Sequence, residues 1–217
     1  MERIHDADNA LVLAQSAISE ITGLFRHNAG NAINKYASAA GGHIDRAHKT
    51  IKALVNRAKI KQVRISSLDL LELITQIVDP IRIHAETTGV SIGVKCPSGI
   101  VIKADRDLLP LVFLNLLHNS LYFLESDSKP GERRITISAS ERDQFAVVHF
   151  HDNGPGISPY DQDKVFDAFF TTKSEKGMGF GLAIAKTIIE AHGGAISVRS
   201  TWGFDTEFTV SIPLKEK

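Results

Sequence analysis

The chain has 217 residues, 43% of them hydrophobic, which is enough for one or two domains with a real core. Basic and acidic residues both number 25, so no net basic field marks the chain for nucleic acid. The single cysteine, Cys96, excludes an internal disulfide and fits a reducing, cytoplasmic compartment. The opening MERIHDADNA is polar and lacks a signal-peptide core.

Residues 8–61 read as two amphipathic helices. Leu11, Ala14, Ile18, Ile21, Phe25, Ala29, Ala32 and Tyr36 keep a three-four spacing, the AAGG of 39–42 supplies a stop, and Ile44, Ala47, Ile51, Leu54 and Ala58 form a second stripe. Two helices bury too little alone. A second copy would complete a four-helix bundle, so a homodimer is expected.

From about residue 63 the periods shorten. VRIS reads as a short strand, and LDLLELITQIVDPIRIHAE as a helix with Pro80 a kink or boundary. VSIGVKC and GIVIKA are strand-like, and Asp105 can cap an apolar helix over 106–125. The run LLPLVFLNLLHNSLYFL, 108–124, is too short and too polar in its middle for a membrane span, although a longer parent protein could still be anchored. RRITISAS with QFAVVHFHD, and AISVRST with TEFTVSIPL, alternate with period two and read as hairpins, with a helix over 181–192 between them. The expected class is α+β: a helical hairpin, 1–62, then a sandwich, 63–217, with a mixed sheet covered on one face by helices.

Three stretches are polar where a plain core is apolar. In NLLHN, Asn115 and Asn119 are four apart and share one helix face. Two amides beside a core need partners, and amide oxygens suit Mg2+. In DNGPGI, Asp152 ends a buried strand and can accept from an amino group, while Gly154 and Gly156 let backbone pass close to a flat ligand. In GMGFGLAIA, Gly177, Gly179 and Gly181 alternate just before a helix whose first N–H groups can bind phosphate. Each stretch alone has an ordinary alternative: a packing amide, an Asx turn, a glycine loop. The glycines come too late for a Rossmann βαβ unit, and a P-loop is absent.

In this order and spacing, NLLHN, DNGPGIS, VFDAFFTTK and GMGFGLAIA resemble the N box, first glycine box, F box and second glycine box of sensor histidine kinases, in the GHKL superfamily with the Bergerat fold. The resemblance covers roughly 63–215, and STWGFDTEFTVSIPL is similar to the closing motif, with Asp205 in place of one glycine. It implies an ATP site in which Asp152, with Thr206, reads adenine and Asn119, with Asn115, holds Mg2+. Phe123, Gly154, Gly156, Ile157, Thr172, Lys173, Gly177, Gly179, Gly181 and Leu182 complete the nucleotide contacts, with Phe169 and Phe170 anchoring a lid that bears Lys173. Tyr122 stands where many members carry a basic residue.

Hydrolysing relatives such as gyrase place a glutamate where this chain has Asn115, an amide that takes no proton at neutral pH. Transfer to a side chain is therefore expected. His27 lies two residues after Phe25, about 200° around the helix and away from its apolar stripe. FRHNAGNAI resembles the family's H-E-x-x-N/T-P box in His27 and Asn31, with Asn28 in place of the acid and Ala32 in place of the proline. His43 and His48 are the alternative acceptors, and His149 with His151 is a conceivable but ligand-poor metal pair. The expectation is a kinase core that phosphorylates its own His27 and passes the group to a response-regulator receiver aspartate. The alternatives are a kinase of a partner's serine, and a phosphotransferase or scaffold with a degenerate ATP site.

Overall fold

The computed structural model describes residues 63–126, 131–173 and 179–215. The chain divides into two units, Met1–Lys59 and Ile60–Lys217, and every described residue lies in the second. The helical hairpin expected over 1–62, and the dimer expected of it, lie outside the described residues.

Strand β1 (Ile65–Asp69) runs directly into helix α1 (Leu70–Thr87). Asp69 makes that junction, its carboxylate accepting from the Glu72 N–H at 3.0 Å. Leu70, Leu73, Ile74, Ile77 and Val78 are buried with the three-four spacing of one helix face. Pro80 lies inside the helix and does not end it. It is exposed, as is Gln76 one turn earlier, so the carbonyl it leaves unbonded faces water.

Strands β2 (Val90–Lys95) and β3 (Val101–Asp105) precede helix α2 (Leu109–Ser126). The helix begins three residues later than the 106 expected from Asp105. Asp105 Oδ1 accepts from the N–H groups of Asp107 and Leu108 at 2.9 and 3.1 Å, so the cap closes a turn over 106–108 that feeds the helix. Asp105 Oδ2 accepts from the Arg64 N–H at 2.7 Å, and its own N–H donates to His192 Nε2 at 2.9 Å. One buried residue thus ties β1, α2 and the end of the last helix together.

Strands β4 (Arg133–Arg142) and β5 (Phe145–Asp152) form the first expected hairpin, and β6 (Ala195–Thr201) with β7 (Asp205–Pro213) the second, after helix α3 (Gly181–Ala191). The main sheet has the order β2-β4-β5-β7-β6. Only β2–β4 is parallel, its crossover carrying β3 and α2. The sheet is therefore mixed, as expected. Unexpectedly, β1 and β3 form a separate two-stranded antiparallel sheet. The chain end pins it to the main sheet, through an Ile102–Leu214 bridge and a Lys215 N–H bond to Val101 O.

Register explains why one face is covered. Ile137, Phe150 and Phe208 pair across three strands, as do Ala139, Val148 and Val210, and all six are buried. The rows between them, such as Ser138, His149 and Thr209, face outward and are half-buried. Helix α2 lies over the centre, with the Phe113 ring 5.2 Å from that of Phe150. It also packs against α1 and α3.

Candidate functional site

The site is built along α2, at the C-terminal end of β5 and the start of α3. Asp152, the last residue of β5, is only 4% exposed. Its Oδ2 accepts from Ser120 Oγ at 2.6 Å and its Oδ1 from the Gly154 N–H at 3.1 Å. Burial raises its pKa above the usual carboxylate value, against the lowering pull of those two donors and of His151. The sequence singled out Asp152 but not Ser120. A serine in an apolar helix carries no periodic signal, and only the fold shows that it faces β5.

Thr206 is the register partner of Asp152 on β7 and is buried beside it, its hydroxyl 3.2 Å from Ser200 Oγ. Asp205, which departs from the family's glycine, closes the β6–β7 turn by accepting from the Thr201 N–H at 3.1 Å. Its other oxygen lies 3.7 Å from His151 Nε2. His149 likewise faces Glu207 at 3.5 Å. Among the described residues, no group of three or more metal-binding acids, histidines or cysteines occurs, and each of the two histidines faces a carboxylate.

Ser120 follows Asn119, so the carboxylate and the second amide meet on adjacent residues of α2. Asn119 Oδ1 accepts from Lys173 Nζ at 2.7 Å. That ammonium also lies 4.4 Å from the centre of the Tyr122 ring and 5.4 Å from that of Phe123. Asn115, one turn back, faces the start of α3: a Cβ on Gly181 would lie 3.2 Å from its Oδ1. An amide oxygen already turned toward a positive group has the chemistry of a metal ligand.

Gly156 and Gly179 have a further physical reason within the protein itself. At Gly156, φ is +70° and an added Cβ would fall on the Thr201 carbonyl oxygen. The close approach is therefore to the β6–β7 turn, not to open space. That contact is held by Gly203 N–H to Pro155 O at 2.7 Å and Ile157 N–H to Ser200 Oγ at 2.7 Å. Gln162, which the sequence did not mark, donates to both Ile157 O and Ser200 O and clamps the same junction. At Gly179 (φ +70°) a Cβ would strike the backbone of Phe169 and Phe170, and the Phe169 N–H donates to Gly179 O at 3.1 Å. Gly154 sits against the Asp152 carboxylate and Leu124.

Phe169 is not a core aromatic: it is 72% exposed with φ at +72°, and among the described residues its ring meets that of Phe180, at 4.6 Å. Phe166 is the aromatic that packs inward, edge-on to Phe208 at 6.2 Å. Thr172 is exposed and Leu182 half-buried. Phe180 precedes α3 and gives no side-chain cap to its first-turn N–H groups. His27, Asn31 and Gly177 lie outside the described residues.

A mixed sheet under three helices, with amides on the middle helix and a buried carboxylate at a strand end, defines the Bergerat class of α+β sandwich. The chain belongs to the family of histidine kinase-, DNA gyrase B- and HSP90-like ATPases, whose model matches residues 104–216. Among curated proteins it is 28% identical over 206 residues to the sensor histidine kinase ZraS of Salmonella typhimurium, covering 92% of this chain and 43% of that protein. It is 32% identical over 217 residues to the signal transduction histidine-protein kinase AtoS of Escherichia coli, covering 97% of this chain and 33% of that one. The chain thus spans less than half the length of these relatives.

Full-length ShkA, solved in complex with AMPPNP, superposes with a TM-score of 0.74 at 22% identity, covering 100% of this chain and 46% of that one. The catalytic domain of the histidine kinase ThkA does so with a TM-score of 0.60 at 25% identity, covering 69% of this chain and 95% of that one. This is the fold of a sensor histidine kinase catalytic core.

Proposed function

We propose that the chain is the phosphotransfer and catalytic core of a dimeric, cytoplasmic sensor histidine kinase, with residues 1–62 as the dimerisation hairpin and 63–217 as the ATP-binding domain. The observation that carries this reading is the Ser120–Asp152 hydrogen bond. It sets a buried acceptor for the adenine amino group next to Asn119, the residue read as holding the metal on the phosphates. Asp152, its charge confined by burial, accepts from the exocyclic amine, with Thr206 beside it. The uncapped N–H groups at the start of α3 receive phosphate oxygens. Mg2+, held by Asn119 with Asn115 and by waters, would neutralise phosphate charge as the terminal phosphoryl group leaves.

Asn115 offers an amide and no base, which favours transfer over hydrolysis. An imidazole nitrogen of His27 forms the new N–P bond, the bond to the β–γ bridging oxygen breaks, ADP departs, and the ring proton goes to water. Asn31, four residues on in the sequence, orients the ring. A response-regulator receiver aspartate then takes the phosphoryl group.

Incubation with γ-labelled ATP and Mg2+ tests the reading. Label that is acid-labile and base-stable, and that is lost in His27→Ala, is the expected result. Acid-stable label on an added partner would point to a serine kinase, and a chain that binds no nucleotide would be a scaffold.

A further inference from the structure

Lys173 has an unusual set of neighbours for a lysine. Its Nζ rests on Asn119 Oδ1 at 2.7 Å and over the rings of Tyr122 and Phe123 at 4.4 and 5.4 Å. Among the described residues no carboxylate pairs with it. Burial lowers its pKa from the ordinary lysine value. Lysine usually keeps its compact ammonium in water, so here one amide oxygen and two ring faces stand in for that water. The same Asn119 oxygen is the one read above as a ligand of Mg2+. It has two lone pairs, but two cations on one uncharged oxygen repel each other.

We propose that Lys173 is a resident cation at the metal seat: its Nζ and the divalent ion compete for Asn119 Oδ1, so that binding of the metal with nucleotide turns Lys173 off the amide. This rests on the reading of Asn119 as a metal ligand. The surroundings sharpen the competition. His118 precedes Asn119 on α2, and burial, then the charges of Lys173 and His84, hold its pKa below the usual histidine value. This part of α2 therefore already sits in a positive field. Glu125, also on α2, is engaged by His84 at 3.1 Å. Removing the lysine charge has two opposite effects. It withdraws positive charge from the phosphates of a metal-free nucleotide, and it frees the amide oxygen for the metal.

The test uses the whole 217-residue chain. ADP is titrated by calorimetry in EDTA and at graded Mg2+, and Mn2+ bound in the presence of ADP is counted by electron paramagnetic resonance. In Lys173→Met, affinity for metal-free ADP falls about tenfold, while the Mg2+ concentration giving half of the full metal effect also falls about tenfold. Lys173→Arg, which keeps the charge, retains a metal requirement near that of the wild type. Equal loss of affinity with and without metal, or no change in either, overturns the competition and leaves the nucleotide site standing. A wild-type chain that binds no ADP at saturating Mg2+ overturns the site reading and the competition together. Thermal melts establish that the variants are folded, and Lys173→Gln carries the same expectation should Lys173→Met not fold.

Discussion

Asp152 holds a carboxylate where water is nearly excluded, with two donors on its oxygens and, among the described residues, no cation in contact. Desolvation therefore outweighs the bonds, and its pKa is raised. The sign follows from linkage. A folded pKa above the unfolded one means that protonation favours the fold. The group's contribution to stability is thus present at acid pH and is lost as pH rises through the folded value. At neutral pH the ionised carboxylate costs stability and serves recognition. Asp152→Asn should keep the wild-type melting temperature or exceed it, since the amide oxygen still accepts from Gly154 and Ser120 Oγ can accept in turn. The same variant should lose about tenfold or more in nucleotide affinity by calorimetry. In the wild type, affinity should fall on acidification at a pH above that at which an exposed aspartate titrates. A variant that melts several degrees lower would contradict this account. Asp152 was legible in the sequence because an acid ends an alternating apolar run before two glycines. Its partner Ser120 was not, because hydrogen bonding between residues 32 apart leaves no local trace.

The glycines act at the scale of elements. They were found by spacing, but the reason for Gly156 came from a turn 45 residues later that no local pattern links to it. Gly156 and Gly203 make a controlled pair, since both have positive φ, +70° and +87°. A Cβ at Gly156 would meet the Thr201 carbonyl, whereas one at Gly203 has nothing within 4 Å. Gly203→Ala should therefore cost only the backbone strain, about 1 kcal/mol. Gly156→Ala adds displacement of the β6–β7 turn and should cost about 2–4 kcal/mol. Urea melts of the two variants give the comparison, and equal costs would mean that the turn yields freely. The strands and hairpins were legible because period-two alternation is a local record of a half-covered sheet. The separate β1–β3 sheet was not, since the strands pair residues 32 to 40 apart in sequence and it is β3 that meets the chain end. Helix α2 began late for a similar reason: besides accepting from its own turn, Asp105 accepts from the Arg64 N–H and donates its own N–H to His192 Nε2, two partners far away in sequence that the fold brings to it.

At the scale of the whole molecule, the buried hydrophobic core of the second unit runs from Leu68 to Ile212 and draws on α1, α2, α3 and the sheet. Its buried polar side chains are all satisfied among the described residues. A unit with its own closed core and satisfied interior has the physical marks of an independent folding domain. The fragment 60–217 should therefore unfold in one cooperative transition and bind ADP with Mg2+ as the full chain does. Because His27 and Asn31 are on the other side of the division, the fragment should take up no acid-labile label from γ-labelled ATP. Adding residues 1–62 as a separate chain should restore label, carried on that added piece and lost when it bears His27→Ala. Acid-labile label on the fragment alone would move the acceptor into the second unit, where His118, next to Asn119, would be the first residue to replace.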